Sequence, residues 1–122
     1  GVCKALAHLN LDHNWIGADG AERLGAVLGE CKALDHLDLS VNVIGDEGAE
    51  RLAGVLGKCK ALAHLDLGNN GMDSSDAQWL AEYVLGECTA LAHLALGGNE
   101  IGAEGAGRLA EVLGECKALA HL

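Results

Sequence analysis

Aromatic residues are almost missing from this sequence: it has two Trp, one Tyr and no Phe among 122 residues. A core without Phe must be filled by Leu, Val, Ile and Ala, which suits thin, equal layers better than one deep centre. Basic residues are scarce as well, eight Lys and Arg against 18 Asp and Glu, for a formal net charge of -10. Nucleic acids and anionic membranes both need a basic surface, so neither is expected as a partner. No apolar run is long enough to cross a bilayer. No signal-peptide pattern opens the chain, and no N-x-S/T acceptor occurs. The five Cys are odd in number and evenly spaced, unlike a disulfide framework. The missing acceptor and the even Cys spacing together predict a reducing, cytoplasmic setting.

Chemical motifs are absent too. There is no G-x-x-x-x-G-K-S/T phosphate loop, no G-x-S-x-G and no H-E-x-x-H. The carboxylates are spread along the chain, whereas catalysis needs a closed, convergent pocket. No enzyme activity, cofactor or resident metal is expected.

What the sequence has in abundance is itself. Cys recurs at 3, 31, 59, 88 and 116, and His8, His36, His64, His93 and His121 follow the same steps of 28, 28, 29 and 28 residues. Residues 1–122 therefore read as one domain of four repeats, 3–30, 31–58, 59–87 and 88–115, with a partial fifth over 116–122. Each unit has two halves. The first reads Leu34-x-x-Leu37-x-Leu39-x-x-Asn42-x-Ile44, and its alternation predicts a short strand with the Leu side chains on one face. The second reads Gly48-Ala49-x-x-Leu52-x-x-Val55-Leu56, apolar at steps of three and four, which is one face of a helix. Gly57, with Gly29, Gly86 and Gly114 at the same place, is expected to end its helix in a left-handed C-cap. Neither half buries its apolar face alone; stacking on the next unit does so.

The motif L-x-x-L-x-L-x-x-N begins in register at Leu6, Leu34, Leu62 and Leu91. In this the chain resembles leucine-rich-repeat proteins, and by repeat length the ribonuclease-inhibitor-like type. The resemblance implies an α/β fold, a right-handed solenoid bent into a horseshoe, with a parallel sheet on the concave side and helices on the convex side. It also implies a role in binding other proteins through the concave face and adjoining loops, and a structural use of Asn14, Asn42, Asn70 and Asn99 where the strands end.

Three ladders need separating from chemistry. The Cys ladder reads as small buried residues, because each Cys should point inward and its neighbouring His outward. The Arg23, Arg51 and Arg108 row reads as a solvated helix face. The His ladder stays open. Adjacent parallel strands lie about 4.8 Å apart, so the imidazoles of His36 and His64 stand within reach of each other and of Asp38 and Asp66. That row is either inherited repeat pattern or a pH-sensitive, metal-accepting stripe.

Where the repeats disagree, a binding surface can be written. On the strand-exit loops the first two repeats carry His13, Trp15, Val41 and Val43; the next two carry Asn69, Gly71, Gly98 and Glu100. Trp is over-represented at interface hot spots, so this end is a candidate anchor; the alternative is that Trp15 shields an open end of the stack. The candidate protein-binding residues are thus His13, Trp15, Val41, Val43, His36, Asp38, His64 and Asp66.

The third repeat departs from the others. Its extra residue falls between Leu80 and Leu85, Trp79 and Tyr83 lie four apart, and Ser75 with Gln78 is expected to form a capping box. Apolar layers at both ends predict a segment of a longer array or self-association through uncapped ends. The leading function is a protein-interaction scaffold. Its rivals are a GTPase-activating scaffold, since such repeats resemble those in activators of Ran-family GTPases, and a structural or engineered repeat segment with no partner.

Overall fold

Each unit folds as one short strand, one loop and one helix, because the same side chains recur at the same places. The computed structural model describes residues 5–85 and 90–113. The strands are β1 (His8–Asn10), β2 (His36–Asp38), β3 (His64–Asp66) and β4 (His93–Ala95), each followed by a helix: α1 (Gly17–Leu28), α2 (Gly45–Leu56), α3 (Ser74–Leu80) and α4 (Gly102–Leu113). The strands form one parallel sheet in the order β1-β2-β3-β4. Pairing is in register at the repeat spacing, His8 with His36, His36 with His64 and His64 with His93. This is an α/β repeat solenoid, with the sheet along one side and the helices along the other.

The core is the seam between them. Leu34, Leu37, Leu39, Leu62, Leu65 and Leu94 are buried, and Leu28, Leu52, Leu56 and Leu80 meet them from the helices. Each such Leu contributes about 1.5–3 kcal/mol through burial. Leu9 at the edge of the sheet is only half-buried, having a neighbouring strand on one side. Where the strands end, the Asn row closes the backbone. The Asn70 side chain donates to the carbonyls of Leu39, Leu67 and Gly68 and accepts from the amides of Asn42 and Ile44. Asn42, Asn70 and Asn99 each join their own repeat to the preceding one, and no buried side-chain polar atom among the described residues lacks a partner.

Helices of adjacent repeats approach closely at Gly48, where an added Cβ would lie 3.2 Å from the Ala18 backbone and 3.3 Å from Ala21. Gly105 is alike, 3.1 Å from both Ala77 and Ser74. The third repeat has Asp76 in that row.

Three expectations are corrected. Gly29 and Gly57 end their helices in right-handed conformation, φ -62° each, not as left-handed caps. The chain instead continues into a tight turn, with the Glu30 and Lys58 amides bonding to Val27 and Val55. Gly86 and Gly114 lie outside the described residues, as do Cys3, Cys88, Cys116, His121 and the partial fifth repeat. The capping box is made by Asp73 and Asp76 rather than Ser75 and Gln78: Asp73 is extended, accepts from the Ser75 and Asp76 amides, and donates its own amide to the Asp76 side chain. A carboxylate at the last extended residue reaches these amides, and Ser75 already lies inside the helix. Third, Cys31 and Cys59 are buried as expected, but Cys31 is disulfide-bonded. Burial pushes up the pKa of the Cys59 thiol, which donates to the Leu28 carbonyl. The bond at Cys31 departs from the reduced thiols on which the cytoplasmic expectation leaned.

The extra residue of the third repeat falls where the spacing put it. Helix α3 runs on as a π-helical turn over Ala81–Leu85, which absorbs one residue while keeping Leu80, Val84 and Leu85 in the core. Trp79 packs partly against the core and stacks on Tyr83, ring centroids 5.3 Å apart.

Candidate functional site

The strand-exit loops of the first two repeats have the least ordinary backbone among the described residues. His13, Trp15, Val41 and Val43 all have positive φ, between 54° and 58°. That region costs an L-residue about 1–2 kcal/mol, and a β-branched residue such as Val is rare there. At the matching places later in the chain stand residues that tolerate it, Asn69, Gly71 and Gly98. The fold therefore does not ask for Val at 41 and 43.

These four side chains come together. They line a small open groove of about 80 Å³, with walls drawn from two repeats. Trp15 is 85% exposed and Val43 59%. A ring that shielded the end leucines would be covered by them, so the shielding alternative for Trp15 loses its basis. His13 Nδ1 lies 3.0 Å from Asp12, which puts a carboxylate at the groove's edge.

The sheet face carries the other four candidates. His36 and His64 stack with centroids 4.0 Å apart, His64 and His93 at 4.1 Å, and His8 and His36 at 5.1 Å, all with planes within 14°. Asp38 and Asp66 pair in register two residues on, and each accepts from a loop amide, of Ser40 and Gly68. His8 Nε2 lies 3.2 Å from Asp35. Partial burial holds the His64 pKa below its ordinary value, and His36 and His93 add to this while Asp66 and Asp38 oppose it. Stacked rings keep their nitrogen lone pairs in parallel planes, so neighbouring imidazoles do not aim at one ion. That geometry disfavours the metal-accepting alternative.

Sequence reasoning missed a carboxylate cluster at the helix starts. Asp46, Asp73 and Asp76 bring oxygens within 4.8 Å of one another. Asp76 is buried and its pKa is pushed up to about 7, first by burial and then by a hydrogen bond with Asp46. The signal was present: Asp76 stands in a row that is otherwise Gly20, Gly48 and Gly105. On the helix side, Arg51 bonds Glu22 of the preceding repeat and Glu47 one turn back, an exposed arrangement worth little.

The Leucine Rich repeat family model matches residues 2–25, 30–53 and 87–110. The chain belongs to the leucine-rich-repeat family. The matched spans leave out the irregular third repeat. No curated protein matches this leucine-rich-repeat chain. Among solved structures, it is similar to actin-binding site 2 of leiomodin-1, with a TM-score of 0.83 and 17% identity over 98% of this chain and 70% of that one. At that identity the likeness speaks to the fold. No helix among the described residues is long and apolar enough to cross a membrane.

Proposed function

We propose that this leucine-rich-repeat chain is a protein-interaction scaffold that engages a partner protein through the sheet face and strand-exit loops. Its anchor is the groove of His13, Trp15, Val41 and Val43, and its contact row is His36, Asp38, His64 and Asp66. The observation that carries this is the convergence of four side chains, His13, Trp15 and Val43 exposed and Val41 half-buried, at backbone angles that cost stability. Strain of that kind persists where it serves a site. Family membership supports the same reading, and the leiomodin-1 neighbour is itself named for binding a protein, actin. The role proposed is non-catalytic, in keeping with a groove lined by an imidazole, an indole and two valines.

Capture of partners from cell lysate by the wild type and by Trp15→Ala tests the reading. Loss of a specific captured protein with an unchanged melting temperature is expected. A variant that captures the same proteins, or that melts well below the parent, refutes it.

A further inference from the structure

Charge in this chain is sorted by element. The strands and the loops that leave them, residues 7–16, 35–44, 63–72 and 92–101, hold no Lys or Arg. They hold Asp12, Asp35, Asp38, Asp66 and Glu100. Every cation among the described residues (Arg23, Lys32, Arg51, Lys58, Lys60 and Arg108) sits on a helix or on the turn from a helix to the next strand. Neighbouring strands are about 4.8 Å apart and the Debye length is about 8 Å at physiological salt, so the sheet-side carboxylates act on a ligand together. Beside them lies the groove, with room for one branched aliphatic side chain and an indole free to take a cation on its face.

From this arrangement we infer that the partner presents an extended cationic segment, Arg- or Lys-rich, with one aliphatic side chain. The aliphatic group fills the groove between Trp15 and Val43, and the cations lie along Asp12, Asp38 and Asp66. An acidic segment meets repulsion along the whole face. A neutral one desolvates carboxylates without pairing them, which costs free energy. The inference rests on the binding role proposed above and specifies its partner.

Three labelled peptides of equal length test it by fluorescence anisotropy: arginines around a central leucine, arginines around a central serine, and glutamates around a central leucine. The arginine–leucine peptide is expected to bind about tenfold tighter than either of the others, and to weaken as salt rises. Asp38→Asn combined with Asp66→Asn keeps the oxygens that accept from Ser40 and Gly68. That pair is expected to weaken the arginine–leucine peptide by about tenfold. Glu50→Gln combined with Glu104→Gln removes the same charge from the helix side and is expected to change it by less than about twofold. Equal loss from both pairs would mean that only net charge is being read, and the inference falls. Tighter binding of the glutamate–leucine peptide, lost in Trp15→Ala, also overturns it while leaving the binding role standing. Binding by none of the peptides overturns it too, and the lysate capture then judges the binding role by itself.

Discussion

Replacing Asp76 with Asn should make the protein more stable at pH 8 and leave it nearly unchanged at pH 4. Asp76 occupies a slot that other repeats fill with Gly, and it is 1% exposed with Asp46 and Asp73 beside it. Its pKa rises from 3.8 to about 7 on folding. The folded protein therefore holds this proton more tightly than the unfolded chain does. The contribution is complete below about pH 4 and is lost as pH climbs towards 7. Three units at about 1.4 kcal/mol each set a ceiling near 4 kcal/mol. Relaxation of exposed Asp46 away from Asp76 reduces the effect to ~1–2 kcal/mol. Asn keeps an oxygen for the Asp73 amide and gains an N–H for Asp46, so the capping box survives. For a chain of this size that gain is about 3–10 °C in melting temperature. Thermal melts of parent and variant followed by circular dichroism from pH 4 to 8.5 give the difference directly, cancelling titration of the histidines. A difference that is flat across this range, or a variant less stable at pH 8, would refute the reasoning.

Two further outcomes follow from the same geometry. Val43→Gly relieves a β-branched residue at φ 55° and copies what Gly71 does in the third repeat, so it should raise stability by about 1 kcal/mol while weakening partner capture; unchanged melting would show that the loop carries no strain. His64 should titrate below an isolated His when followed by imidazole proton shifts in NMR; because its folded pKa lies under the unfolded one, its stabilising contribution is present above pH 6.5 and lost on acidification, and His64→Gln should flatten the acid limb of the stability curve.

How much of this was legible depended on whether the cause was local. Leu37 and Leu39 alternate, Leu52, Val55 and Leu56 recur at helical steps, and both patterns act within a few residues, so strands and helices came out in place. The extra residue between Leu80 and Leu85 was visible by counting, though only the packing of Val84 and Leu85 makes it a π-helical turn. Gly57 misled because helix endings admit more than one solution: a tight right-handed turn serves here, and the glycine's left-handed option goes unused. The capping box moved because Asp73 takes the place where Gly17, Gly45 and Gly102 sit at positive φ. The carboxylate cluster was hidden for another reason. Asp46 and Asp76 are 30 residues apart, and only the stacking of one repeat on the next turns that separation into contact.

The same stacking explains why the candidate groove lies where it does. A repeat constrains inward positions in every layer, since one displaced Leu disturbs two seams. It leaves exit-loop residues free to vary, provided the Asn row still closes the backbone below them. The third repeat carries Asn69 and Gly71 over the same Asn bonding pattern, at the same angles and without strain. Val41 and Val43 gain nothing from burial to offset their conformation, for Val43 is exposed and Val41 is covered only in part. In the binding role proposed above, a partner that covers the loop returns the free energy that folding does not. The apolar surface of Val43 and Trp15 in water is the part of this chain that a partner would remove from solvent most profitably.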